Sequence, residues 1–317
     1  SEIIVHLIAK SQSATFEDAL TDSVLKLKGA YSLVLLTQTQ LIGIRDPSGF
    51  RPLCLGKLNG SYVLASETCA LDLIQAEYIR EVDAGEIVII DEQGLRSIKP
   101  FPPTNPSLCI FEFIYFARPD SCVFGESVYQ TRKRLGIELA LESPVDCDLV
   151  IPMPDSGNCA GLGFAEASGI PFEMGITRNH YVGRTFIQPS QISRDLGVKV
   201  KLNPVKAVIN NKRIVVIEDS IVRGTTSKIR MNNLREAGAK EVHMRVSCPP
   251  HRHPCYYGID FPTSEELIAF SHSIEEIGDY IGVDSLGYLS LDGMIKAMPF
   301  PKEMFCLSCF DGQYPVR

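Results

Sequence analysis

At 317 residues and 35.0 kDa, the chain is long enough for two domains with full hydrophobic cores. A net charge of −7 and a pI of about 5.5 argue against a nucleic-acid partner. No apolar run reaches the roughly 18 residues of a membrane span, so a soluble, cytoplasmic protein with no membrane partner is expected. Ten cysteines are dilute in a chain of this length and are expected to be free, with a clustered pair a metal candidate.

Ser1 leads straight into the apolar stretch Glu2-Ile3-Ile4-Val5-His6-Leu7-Ile8-Ala9-Lys10 without an initiator methionine. It reads as the interior of a folded domain, and a fragment is expected. Residues 17–27 carry helical spacing at Leu20, Val24 and Leu27. Residues 32–37 and 41–45 read as a strand pair, and 61–66 and 86–91 as two further strands. Asp46-Pro47-Ser48-Gly49 and Asp91-Glu92-Gln93-Gly94 mark turns between them. A proline-rich connector over 99–106 continues neither helix nor central strand.

After the connector the pattern alternates. Residues 128–142 read as a helix, with Arg132-Lys133-Arg134 on its polar side. A buried strand over 148–153 precedes a helix at 161–167. A strand over 214–217 leads to a helix at 227–237 and a further strand at 241–247. Such alternation predicts an α/β fold with a largely parallel sheet flanked by helices.

The most informative stretch is Ile214-Val215-Val216-Ile217-Glu218-Asp219-Ser220-Ile221-Val222-Arg223-Gly224-Thr225-Thr226. A buried strand delivers two carboxylates to its carboxyl end, and a hydroxyl-rich loop opens the next helix. The carboxylates can accept hydrogen bonds from sugar hydroxyls, while N–H groups at the helix start can hold a phosphate. Ligands of open α/β sheets bind at that end of the strands. The segment Pro154-Asp155-Ser156-Gly157-Asn158-Cys159-Ala160-Gly161-Leu162-Gly163 follows another strand, and its small residues suit an anion-binding nest. Between the two lies Arg178-Asn179-His180-Tyr181-Val182-Gly183-Arg184-Thr185-Phe186-Ile187-Gln188-Pro189, which fits equally a closing lid or a long surface loop.

Arg118-Pro119-Asp120-Ser121, the lid segment, residues 218–226 and Cys306-x-x-Cys309 occur in this order, with Arg45-Asp46-Pro47-Ser48-Gly49-Phe50-Arg51-Pro52-Leu53 and Ser66-Glu67-Thr68-Cys69-Ala70-Leu71-Asp72 upstream. Together they resemble the glutamine phosphoribosylpyrophosphate amidotransferases over essentially the whole chain. The resemblance implies a type I phosphoribosyltransferase fold at 109–317, a linker at 99–108, and a partial N-terminal-nucleophile hydrolase (αββα) glutaminase domain at 1–98. It implies a pentosyltransferase that forms 5-phosphoribosylamine and diphosphate from phosphoribosyl diphosphate (PRPP) and glutamine-derived ammonia, the first committed step of purine biosynthesis.

Carried to this chain, the resemblance implies that Asp155, Ser156 and Gly157 face the diphosphate. Glu218 and Asp219 hold the ribose hydroxyls and, with Ser156, help place Mg²⁺. Ser220, Ile221, Val222, Arg223, Gly224, Thr225 and Thr226 cradle the 5-phosphate, and Tyr181, Gly183 and Arg184 belong to the lid. Cys109, Cys255, Cys306 and Cys309 match the ligands of a [4Fe–4S] cluster, although spacing alone suits structural Zn²⁺ equally. Cys54, Cys69, Cys122, Cys147, Cys159 and Cys248 are read as small core residues, and His251, Arg252 and His253 as residues without a role. Purine nucleotide inhibitors and a homo-oligomer are also implied.

The pattern departs in places. Ser1 does not correspond to the family's nucleophilic cysteine, so no glutaminase activity is expected and free ammonia is the nitrogen source. Glu218 stands where aspartate is commoner, and His180 where a basic residue is usual. An alternative reading is a non-catalytic PRPP-binding regulator. A nucleobase salvage transferase is a further one, opposed by the N-terminal sandwich remnant.

Overall fold

The computed structural model describes residues 2–179, 202–261 and 263–316. Helix α1 (Glu2–Lys10) and helix α2 (Phe16–Val24) open the chain. The Thr15 side chain caps α2 by accepting from the Asp18 N–H at 3.1 Å, one of the donors a helix start leaves unpaired. The helix ends at Val24 rather than 27. There the bonding tightens, with Lys26 N–H donating to Ser23 and Leu27 N–H to Val24, a three-residue turn of the kind that closes helices.

Two antiparallel sheets follow. Strands β1 (Ser32–Leu36), β2 (Leu41–Arg45), β6 (Ile87–Asp91) and β7 (Gly94–Ile98) form one, in the order β1-β2-β6-β7. Strands β3 (Cys54–Leu58), β4 (Ser61–Ala65) and β5 (Glu77–Glu81) form the other, in the order β4-β3-β5. Asn59-Gly60 joins β3 to β4 with both residues at positive φ, as a tight hairpin requires. Alternate residues of β2 and β6, Ile42, Ile44, Ile87 and Ile89, are fully buried against Leu20 and Val24 of α2. Val88 points the other way and packs with Leu53, Val82 and Leu64. The period of two thus builds a helix–sheet–sheet stack.

Residues 102–106 form an exposed coil. Beyond it, Leu108–Cys109 pairs in parallel with Phe305–Cys306, setting Cys109 opposite Cys306. The main sheet comprises β8 (Leu149–Pro152), β9 (Arg213–Glu218), β10 (Glu241–Val246) and β11 (Ser285–Tyr288). Its order is β8-β9-β10-β11, parallel throughout. Ile214 to Ile217 are fully buried, the mark of a strand covered on both faces. The longest helices of this half are α3 (Val128–Glu142), α4 (Asn158–Ser168), α5 (Thr225–Glu236) and α6 (Ile274–Ile281).

Helices α3 and α4 approach so closely that a Cβ on Gly136 would strike the Ala160 carbonyl, and one on Gly163 the Lys133 carbonyl. The basic run of α3 is not uniformly polar. Arg132 is 4 % exposed and donates to the Phe113, Glu112 and Ala117 carbonyls. These belong to a wide π-turn at Glu112–Phe116 and the residues beside it, whose carbonyls need partners indoors. Arg132 therefore acts as an internal cap. Cys122 corrects the reading of six buried spare cysteines: it is exposed, while Cys54, Cys69, Cys147, Cys159 and Cys248 are buried.

Candidate phosphoribosyl site

Adjacent strands β8 and β9 end side by side, and each runs into a loop that starts a helix at the same end of the sheet. Met153 N–H donates to the Ile217 carbonyl at 2.8 Å, and Gly157 N–H returns to the Met153 carbonyl at 2.9 Å. The loop after β8 is thereby folded flat against the end of β9. The Pro154–Asp155 peptide is cis. A Cβ on Gly157 would run into the Ile217 carbonyl, so only glycine permits this approach. Because Gly157 already turns αR as the cap residue, α4 begins at Asn158, three residues before the sequence reading. Asp155 is exposed and Ser156 half-buried, and Arg178 forms an ion pair with Asp155.

At the end of β9, Glu218 and Asp219 are both 4 % exposed. Ser220 Oγ donates to Asp219 Oδ1 at 2.6 Å, and Ser247 N–H to the Glu218 carbonyl at 2.9 Å. Arg230 of α5 reaches back, with Nη1 3.3 Å from Glu218 Oε2. Burial, then the neighbouring Asp219 carboxylate, pushes the Glu218 carboxyl up to about 8, while Arg230 opposes the rise. Gly224 caps α5 at φ +74°, a left-handed turn that lets the loop double back into the helix. The loop is tied down elsewhere: Ile221 is buried, Ile268 N–H donates to the Val222 carbonyl, and Arg223 pairs with Glu266. Thr225 and Thr226 form the first turn of α5, where N–H groups lack intrahelical acceptors.

The structure therefore brings Asp155, Ser156 and Gly157 together with residues 218–226 at the carboxyl ends of β8 and β9. Tyr181, Gly183 and Arg184, with His180, lie outside the described residues. Sequence reasoning missed Arg230, since a lone arginine on a polar helix carries no signal until its rotation about α5 is known.

The four cysteines of the expected cluster are all buried. Burial raises the Cys309 thiol well above the ordinary thiol range, with Cys109, Cys306, Cys255 and Cys248 as electrostatic neighbours. Arg51 Nη1 lies 3.5 Å from Cys109 Sγ, and the Tyr257 N–H donates to Cys255 Sγ at 3.3 Å. Among the described residues, no three His, Cys, Asp or Glu side chains are gathered as one metal ion requires. His251 is 1 % exposed, stacks on Phe310 with centroids 4.8 Å apart, and lies 4.0 Å from Cys248 Sγ.

A parallel sheet with an acidic strand end, beside two helix N-termini that can receive anions, defines a type I phosphoribosyltransferase fold. Residues 1–73 match the family model of a glutamine amidotransferase domain. The chain is 54 % identical to amidophosphoribosyltransferase 1, chloroplastic, of Arabidopsis thaliana, covering all of this chain and 56 % of that protein. It is 49 % identical to the amidophosphoribosyltransferase of Bacillus subtilis strain 168, covering all of this chain and 67 % of the relative. The solved structure of glutamine PRPP amidotransferase from B. subtilis, complexed with ADP and GMP, superposes with a TM-score of 0.93 at 49 % identity. That match covers all of this chain and 70 % of the solved one. The chain belongs to the amidophosphoribosyltransferase family. It spans little more than half the length of the Arabidopsis relative. Among the described residues no helix is long and apolar enough to cross a membrane.

Proposed function

We propose that this chain carries the phosphoribosyl-transfer site of an amidophosphoribosyltransferase, forming 5-phosphoribosylamine and diphosphate from PRPP and ammonia. The observation that carries the reading is the pairing of Glu218 and Asp219 at the end of β9 with the N-terminus of α5 seven residues on. In this reading Glu218 and Asp219 accept from the ribose hydroxyls, and Ser220 to Thr226 hold the 5-phosphate through N–H and hydroxyl donors. Asp155, Ser156 and Gly157 line the diphosphate, and Tyr181, Gly183 and Arg184 are proposed as further PRPP contacts. Diphosphate leaves as an anion and needs no general acid, and ammonia attacks the anomeric carbon through its own lone pair, the proton of the resulting ammonium passing afterwards to water. Backbone donors and positioning then supply most of the acceleration.

The oxygen donors of Glu218, Asp219 and Ser156 suit Mg²⁺, which is commonly held by one or two carboxylates plus substrate phosphates. Bound there, Mg²⁺ would neutralise charge on the departing diphosphate. Cys109, Cys255, Cys306 and Cys309 suit a [4Fe–4S] cluster better than zinc. They are buried neighbours, Cys109 and Cys255 already accept N–H donors, and a cluster binds each thiolate to a different iron, so the sulfurs need not crowd one ion. Such a cluster would staple the two ends of the second half. Purine nucleotides are the proposed inhibitors, since the B. subtilis structure is complexed with ADP and GMP. Ammonia is the proposed nitrogen source for the transfer step. A homo-oligomer is proposed as well, and the ten free cysteines suit a reducing compartment such as the cytoplasm.

Diphosphate release from PRPP and Mg²⁺, with ammonia or glutamine as nitrogen source, tests the reading. Turnover with ammonia that Asp219→Ala abolishes supports it. Binding of PRPP without turnover on either source favours a regulator instead.

A further inference from the structure

Glu218 carries one methylene more than its neighbour Asp219, and the structure shows where the extra length leads. The carboxylate extends from the end of β9 toward α5, and Oε2 meets Arg230 Nη1 at 3.3 Å. The pair is largely sheltered, with side-chain exposures of 6 % for Glu218 and 24 % for Arg230. Arg230 occupies the second turn of the helix whose first turn is the proposed phosphate cradle. It lies one turn from Ser227 and from Leu234, both buried, so its stem is fixed by the face that packs on the sheet. Its guanidinium borders a small cleft with Met153, Ile176, Leu202 and Pro204, and its Nε is buried without a partner among the described residues. Asp219, by contrast, is held by its own neighbour, Ser220 Oγ.

We infer that Arg230 is a positioning residue: it holds Glu218 by one carboxylate oxygen, so that the two neighbouring acids keep a fixed arrangement toward the ribose. The inference rests on the proposed PRPP reading. Two adjacent buried carboxyl groups are mutually repulsive unless a proton or a counter-ion stands beside them. A guanidinium beside one of them fixes its direction as well as its charge. The site thus combines a glutamate at the strand end with a helix residue placed to catch it.

The test is PRPP binding in the presence of Mg²⁺, measured calorimetrically on the full chain and four variants: Arg230→Met, Arg230→Lys, Glu218→Asp, and Glu218→Asp combined with Arg230→Met. Arg230→Met is expected to weaken PRPP binding about tenfold, as loss of one sheltered charge-assisted contact would, and Arg230→Lys to recover most of it. In the Glu218→Asp background, where the carboxylate falls short of the helix, Arg230→Met is expected to change affinity less than about twofold. Equal losses in both backgrounds would show that Arg230 acts through the fold or on the ligand itself, and would overturn the inference. Unchanged affinity in Arg230→Met overturns it too, while the unsubstituted chain still binds. Failure of the unsubstituted chain to bind PRPP is a different result, which removes the proposed function and the inference together.

Discussion

At the scale of single residues, His251 shows what burial does to a group the sequence left without a role. Enclosed by Phe111, Phe261 and Phe310, with its Nδ1 lacking a partner among the described residues, it is driven by desolvation from 6.5 down to about 3. A histidine held neutral contributes stability that is full above its unfolded pKa and lost as pH falls from 6.5 toward 3. Between pH 7.5 and 5 the loss is about 2 kcal/mol. His251→Phe, which keeps the ring stack and cannot be protonated, is expected to lack that loss. Urea unfolding of both proteins at the two pH values measures the difference, and parallel pH profiles would refute the argument.

Elements meet here through their backbones as much as through side chains. Gly136 of α3 and Gly163 of α4 admit carbonyls of the facing helix where any Cβ would collide. Alanine normally favours a helix interior over glycine by about 1 kcal/mol. At this crossing the sign should invert, with Gly136→Ala destabilising by about 1–3 kcal/mol as the helices are pushed apart. Thermal unfolding would register it, and a stabilised variant would mean the helices can slide to accept a methyl group. The same economy of space operates at Gly157, where the loop after β8 lies on the carbonyl of Ile217. Period and capping made most elements legible, α3 to the residue. Strands β3, β5, β7 and β11 and helices α1 and α6 were not. Gly56 interrupts β3, and the exposed, charged β5 has no clean alternation, so only pairing with neighbours identifies them.

Across the whole molecule, the loop after β2 reaches from the antiparallel sheets into the core of the parallel half. Phe50 is fully buried, stacks on Tyr257 with centroids 4.4 Å apart, and its carbonyl accepts from the Cys109 N–H at 2.9 Å. Ser48 does the same for Ser107 at 2.8 Å. Arg51 continues the bridge, pairing with Glu112 at 3.0 Å beside Cys109. Phe50→Ala is expected to cost about 3–5 kcal/mol and to split unfolding into two transitions, one for each set of sheets. Calorimetry decides between that and a single transition lowered as a whole, which would mean the halves couple elsewhere.

The sequence by itself determined the strand-to-helix order, the acidic end of β9 and the small-residue loop after β8. Each is local: a run of β-branched residues, a pair of acids and a glycine dictate their own geometry within a few positions. It also named the four cysteines, though only by resemblance. The tertiary structure alone decided that Arg132 turns inward to cap carbonyls, that Arg230 faces Glu218, that His251 is sealed among aromatic rings, and that Phe50 belongs to the core of the other half. Those contacts join residues 12 to more than 200 positions apart. Which face of an element a polar side chain takes depends on the partner brought to it, and no local pattern encodes that partner.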